Sequence, residues 1–332
     1  MMDKIKRYIT LLAVSILVSC TQVKNKEEAI PSVVSVEKPV VIIKDTKEKQ
    51  SALENQSVLI VLSSQSPSYQ KIADAISVKL KQPAIQKILS GQPASDSRIL
   101  NEIEASTDIT HIVTLGSKAA RLVKDLKKQR IVFAQIVNYQ DLNLVTDYMK
   151  GVSALPSPEK LFKDWRAISP TLSSVAIVAG KNLDPYLLRA TKAAESQGIE
   201  LTIEQVATDK EFIYQSKSLN PKIEGQWVLP DHRILSAKAL KEVMAYASRR
   251  GRQVVVFSPK LLSFGGLFYV SDDANSIVDA VLQRITDSAD KEKIPGIDVF
   301  PVMNHTMGIN RNIAKQLNLN IPQEYQAYVN GE

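Results

Sequence analysis

From Ser57 onward the chain sets continuous apolar runs against segments of helical period, and this alternation admits few folds. Val58-Leu59-Ile60-Val61-Leu62 has no polar residue to turn toward water, as a strand buried on both faces requires. Tyr69, Ile72, Ala73, Ile76 and Leu80 follow at the spacing of one helix face. The same reading places strands at 84–89, 111–115 and 130–137, with helices over 96–105 and from Ser117. A second series follows a polar stretch. It has strands at 174–179, 199–206, 226–229 and 253–257, with helices over 185–197, 209–219 and 235–249. Strands separated by single helices assemble as parallel sheets through right-handed crossovers. Two similar series predict an α/β protein of two Rossmann-like lobes.

Three breaks interrupt the pattern. Residues 138–151 are polar and irregular, although Gly151-Val152-Ser153 reads as a short strand before a helix over 159–168 introduced by Pro156 and Pro158. Residues 258–266 form the second break, followed by a strand at 267–270 and a helix at 274–288. The third passes Pro295-Gly296 and Pro301. Three breaks predict about three crossings between lobes, a hinge suited to closing on a ligand. Boundaries drawn on them assign 57–138 and 267–295 to the N-terminal lobe, and 139–266 and 296–332 to the C-terminal lobe.

The first nineteen residues read as an address. Lys4, Lys6 and Arg7 precede a mostly apolar run from Tyr8 to Val18, too short to span a bilayer. The run ends Leu17-Val18-Ser19-Cys20, which resembles the bacterial lipobox, with Cys20 the lipidated residue. Cys20 is the chain's one cysteine, so no internal disulfide forms. Thioether and N-acyl chains together would give stable membrane attachment. Thr21 stands where aspartate favours inner-membrane retention in diderm bacteria, so either membrane stays open. Residues 20–56 mix Lys and Glu without a sustained period and are expected to form a flexible tether, reaching roughly 120 Å if fully extended. The expected location is the cell envelope, lipid-anchored on the periplasmic side.

Several chemistries lack their residues. No Gly-x-Gly-x-x-Gly follows a strand, and Gly116-Ser117-Lys118 lacks the upstream glycine of a phosphate-binding loop. There is no Gly-x-Ser-x-Gly elbow and no His-Glu-x-x-His. Of the three histidines, His111 reads as packed or capping, His305 as structural, and His232 as a loop residue that could face a cleft. No catalytic residue, cofactor or metal site is expected. The net charge of +7 is carried partly by clusters such as 124–128 and 249–252 at helix ends, where cations complement the helix dipole. No nucleic-acid partner is expected, and nothing points beyond a monomer.

Four motifs in order carry a family resemblance. Gly151-Val152-Ser153…Pro158-Glu159-Lys160, Val228-Leu229-Pro230-Asp231, Phe264-Gly265-Gly266-Leu267 and the stretch from Asn310 to Pro322 resemble substrate-binding lipoproteins of ABC transporters, of the tryptophan- and tyrosine-binding group. The resemblance covers about Ser57 to Pro322 and implies the type I periplasmic binding protein fold. There the Gly-Val-Ser stretch opens the second lobe, and 310–322 would form the closing helix. It also implies a small-molecule ligand, possible amino acids included, and an ABC permease as partner.

Ligands of open α/β sheets sit beyond the carboxyl ends of the strands, and an anionic group suits a helix N-terminus. These rules nominate Ser63, Ser64, Gln65 and Ser66, then Gly116, Ser117 and Asn138, from the first lobe. Lys181, Asn182, Asp231, His232 and Ser258 are nominated from the second. The chain departs from the family at Val137-Asn138-Tyr139, where Thr-Asp-Pro is usual, and at Ser258-Pro259, where Ser-Asp is usual. Asp231 is then the acidic candidate for a ligand ammonium. The departures and Thr21 keep open a second implication, an outer-membrane lipoprotein that uses this fold to engage a protein partner without transport.

Overall fold

The computed structural model describes residues 57–80 and 84–330; the leader, Cys20 and most of the proposed tether lie outside them. The first series gives β1 (Val58–Leu62), α1 (Pro67–Lys79), β2 (Ile85–Ile88), α2 (Pro93–Ala105), β3 (His111–Leu115), α3 (Ser117–Val123), β4 (Arg130–Ala134) and β5 (Met149–Pro156). The second gives α4 (Pro158–Ile168), β6 (Ser174–Gly180), α5 (Asp184–Ser196), β7 (Glu200–Val206), α6 (Asp209–Ser218), β8 (Gly225–Trp227), α7 (Ala237–Arg249), β9 (Gln253–Val256) and β10 (Phe268–Asp272). The chain ends with α8 (Ala274–Ser288), β11 (Val299–Val302), β12 (His305–Asn310), α9 (Arg311–Gln316) and the two-residue β13 (Val329–Asn330).

Two sheets result, ordered β11-β5-β4-β3-β1-β2 and β13-β12-β10-β9-β8-β6-β7. All pairs are parallel except β10 with β12. In the first sheet β1 and β3 are buried at every position, so both faces need cover. Leu59 and Val61 meet Ile103 of α2 and Ala119, Ala120 and Val123 of α3. Val58, Ile60 and Leu62 meet Ile72, Ala73 and Ile76 of α1, but also Ile277, Val281 and Ile285 of α8. Arg284 secures that late helix. Its Nε donates to the Gly151 carbonyl at 2.9 Å and its guanidinium lies 3.8 Å from the Phe300 ring centroid.

In the second sheet Trp165 of α4 is wholly buried against Phe268 and Phe162. Its Nε1 donates to Gln253 Oε1 at 2.7 Å, and Gln253 Nε2 donates to Ser169 Oγ at 2.8 Å. Asp164 on the same helix is buried and fully partnered: Lys160 and Tyr325 donate to it, and His305 Nε2 lies 2.9 Å away. The return strand and the chain end are thereby tied to α4.

The chain crosses between the sheets three times, as expected, but later than the breaks suggest. The crossings follow Pro156, Asp272 and Val302. Three segments therefore belong to the other lobe from the one the boundaries assigned. Met149–Pro156 pairs with β4 in the first sheet, from Ile131↔Met149 to Phe133↔Gly151. Phe268–Asp272 pairs with β9 and β12 in the second, and Val299–Val302 pairs with β5 in the first. The Gly-Val-Ser stretch closes the first lobe rather than opening the second. The polar break at 138–148 is a loop between two strands of one sheet, whereas the true crossings are extended strand ends. The closing helix is also shorter than expected. Asn310 Oδ1 accepts from the Asn312 and Ile313 N–H groups, and the helix stops at Gln316, two residues before Asn318 takes a φ of 54°.

His111 is buried, with Nε2 3.1 Å from Ser288 Oγ at the end of α8. Desolvation, aided by the charge of Arg130, lowers its pKa from 6.5 to about 4. The folded chain keeps the imidazole neutral where the unfolded chain takes a proton. Stability from this group is complete above pH 6.5 and is lost as pH falls from 6.5 toward 4, by about 3 kcal/mol. The urea-midpoint gap between the parent chain and His111→Leu isolates this group, and it should shift in the substituted chain's favour as pH falls from 7 to 4.

Candidate functional site

The carboxyl ends of both sheets face one another across the crossings, and side chains at these ends are positioned by the turns that follow. Ser63 directly follows β1, is buried, and its Oγ accepts the Ala119 N–H of α3 at 2.9 Å. Gly116 makes that approach possible. Its φ is 88°, and a Cβ there would stand 2.5 Å from the Tyr69 hydroxyl and 2.8 Å from Ser63 Oγ. Ser64 and Gln65 are exposed, while Ser66 and Ser117 are half-buried.

An ionic latch spans the lobes. Asp141 lies in the loop between β4 and β5, in the first lobe. Asn182 Nδ2 donates to its Oδ1 at 2.5 Å, and Arg233 Nη1 donates to its Oδ2; both donors belong to the second lobe. Arg233 also grips the carboxylate of buried Asp231, donating from Nε to Oδ1 at 2.9 Å, from Nη2 to Oδ2 at 2.6 Å and from its backbone N–H to Oδ1 at 3.1 Å. Gly180 leaves room for that pair, since a Cβ would lie 2.2 Å from Asp231 Oδ2. The hydrogen bonds it donates to Asp231 raise the Arg233 pKa above its already high ordinary value, so the latch cation stays charged.

Two cavities lie between the lobes and meet at Ala154, which lines both. The larger, about 540 Å³, is walled by Tyr139, Leu144 and Leu155 of the first lobe and by Leu183, Tyr186 and Arg189 of the second. The smaller, about 260 Å³, sits on the crossing strands. Lys71 of α1 and Gln135 face it from the first lobe, and Pro230, Phe257 and Asp272 from the second. The larger is bounded by α5 and the edge strand β11, to one side of the hinge. The smaller lies at the carboxyl ends of β8, β9 and β10, where ligands of such sheets bind, so position outweighs volume in choosing between them.

No protein-family model matches the chain, and no curated protein matches it. Solved structures do. An ABC domain in complex with L-Trp from Streptococcus pneumoniae superposes with a TM-score of 0.59 at 18% identity, over 83% of this chain and 100% of that one. A ligand-free, open substrate binding protein with adhesive properties from Clostridium difficile gives 0.61 at 14% identity, over 83% and 99%. A conserved domain protein from Vibrio cholerae gives 0.57 at 18%, over 83% and 98%. The fold is that of a type I periplasmic binding protein.

Within this binding-protein fold the nominated residues divide by how their side chains are used. Ser63, Asn182 and Asp231 are committed to the protein itself, and Gly116 is buried backbone. Asp231, the acidic candidate for an ammonium, is neutralised by Arg233. Ser64, Gln65, Ser117, Asn138, Lys181, His232 and Ser258 stand at the strand ends, none with a side-chain hydrogen bond among the described residues. None of the nominated residues lines either cavity; their neighbours do, including Tyr139, Leu183, Pro230 and Phe257. Sequence reasoning passed over Asp141, Arg233, Lys71 and Asp272. The closeness of Arg233 to Asp231 was a usable signal for one of them, whereas the reach of Asp141 across the lobes had none. Among the described residues no group of three or more His, Cys, Asp or Glu is placed to hold a metal.

The latch can be separated into its halves. Asp141→Ala removes the cross-lobe contacts alone. It should cost below about 1 kcal/mol in urea denaturation while raising the radius of gyration in small-angle scattering. Arg233→Ala also strands the buried Asp231 carboxylate and should cost about 3–5 kcal/mol.

Proposed function

We propose that this chain is an extracytoplasmic solute-binding protein that closes on a small polar ligand between its lobes and delivers it to an ABC permease. The observation that carries the reading is the pair of cavities walled by both lobes, set against a three-strand hinge and bridged by Asp141 with Arg233 and Asn182. Such an arrangement lets ligand binding and lobe closure be one event. Ser64, Gln65, Ser117, Asn138, Lys181, His232 and Ser258 supply polar contacts at the cleft rim, with an amino acid among the candidate ligands. The solved structure carrying L-Trp on the same fold supports this ligand class.

Attachment to the membrane is through Cys20, on the periplasmic side of the envelope, and the chain acts as a monomer with no cofactor. The leader pattern and the charge-mixed stretch after it support the attachment. Among the described residues no helix is long and apolar enough to cross a membrane.

Thermal-shift screening of the full chain against amino acids, nucleosides and small anions tests the binding role. A cognate ligand at a hundred times its Kd should add about 2.7 kcal/mol of stability. No shift across the panel would favour the second reading, a binding-fold lipoprotein acting on a protein partner. Cys20→Ser should move the chain from the membrane to the soluble fraction and abolish palmitate labelling.

A further inference from the structure

Two aspartates beside the hinge, Asp164 buried and Asp272 half-buried, have opposite surroundings. Asp164 is held by Lys160, Tyr325 and His305. Asp272, the last residue of β10 before the chain crosses to α8, makes no side-chain hydrogen bond or ion pair among the described residues, and its Oδ1 is buried. A buried acceptor without a partner carries a desolvation penalty that a donor would remove. Asp272 lines the 260 Å³ cavity, whose other walls are mainly apolar: Ile72, Phe257, Val270 and Ile277. It is that cavity's one anionic side chain, and Lys71, on the opposite lobe, is its one cationic side chain.

We propose that Asp272 is the ammonium-recognising residue of the cleft, taking the primary amine of a small monocationic or zwitterionic ligand seated in the hinge-side cavity. This rests on the solute-binding reading and names the group that selects the solute. A primary ammonium offers three donors to a carboxylate with free acceptor sites, and charge-assisted bonds of this kind are the strong ones. The apolar walls accommodate a short carbon skeleton. Lys71 across the cavity favours an anionic or neutral far end and repels a second cation, so diamines are selected against. Because the two residues sit on different lobes, a ligand reaching both would hold the lobes together.

The protonation behaviour of the site agrees. Desolvation raises the Asp272 carboxyl from 3.8 to about 7. The titratable groups nearest it are His305, its register partner on β12, Tyr186 of α5, which in turn lies beside Arg189 and Glu159, the adjacent Asp273 and, across the cavity, Lys71 of α1. Below about 7 the carboxyl holds a proton that an incoming ammonium must displace, so affinity rises with pH through 7. In the ligand-free chain the sign reverses. The folded state holds that proton more tightly than the unfolded state, so stability falls as pH rises toward and through 7.

Calorimetric titration of the full chain with pentylamine, 5-aminopentanoate, pentanoate and 1,5-diaminopentane, at pH 6 and pH 8, tests the assignment. Pentylamine and 5-aminopentanoate should bind, more tightly at pH 8; pentanoate and the diamine should bind much more weakly or not at all. Asp272→Asn keeps the shape of the side chain and should weaken both monoammonium probes by about tenfold or more and remove their pH dependence. Its urea midpoint, no lower than that of the parent chain at pH 8, reports that it folds. Unchanged affinity of the monoammonium probes in Asp272→Asn, or pentanoate binding as tightly as pentylamine, overturns the assignment. If another small molecule closes the cleft of both proteins equally, the assignment fails and the solute-binding reading stands. If neither these probes nor the wider panel binds, both fail.

Discussion

The first sheet cannot cover itself, and much of the architecture follows from that. Its central strands are apolar on both faces, and the helices between them supply α2 and α3 on one side but only α1 on the other. The missing cover is α8, which the chain delivers after building the second lobe. Burying that face therefore requires the chain to leave, return and leave again, and the three crossing strands are the consequence. Arg284 makes the return durable by bonding the late helix to the Gly151 carbonyl. The hinge is thus a by-product of hydrophobic cover, and its by-product in turn is a cleft between two sets of strand ends.

Within that cleft the electrostatics are unevenly settled. Arg233 satisfies Asp231 deep in the second lobe and Asp141 on the first, so one guanidinium both compensates a buried anion and bridges the lobes. The deep half is the one with energetic weight, because a buried carboxylate without its partner is strongly unfavourable, while the exposed half is screened by solvent. Asp164 is likewise fully compensated. Against this background an uncompensated carboxyl at Asp272 stands out as a group kept open for something that enters the cleft.

Much of the fold was legible in the sequence. The strands at His111–Leu115 and Ser174–Gly180 and the helix at Ala274–Ser288 fall where periodicity puts them, since burial on two faces favours short, mainly apolar runs in strands and one apolar stripe on a helix. Lobe membership was less legible. Met149–Pro156 follows a polar break and was assigned forward, but strand pairing depends on hydrogen-bond partners that may stand any distance away in the chain. The candidate cavities were not legible residue by residue: their lining side chains sit one to several positions away from the strand-end residues the sequence nominates.

By itself the sequence determined the alternation of elements, the two-lobed α/β class, the number of crossings and the lipobox-like leader, because all four are written in local composition and period. Tertiary structure alone decided which strand joined which sheet, which aspartate was compensated and which was left open. Asp231 and Asp272 are the same residue type on the carboxyl side of two strands of one sheet; Arg233 reaches one and no side chain among the described residues hydrogen-bonds the other. Compensation of a charge depends on distance through space, which local sequence does not record.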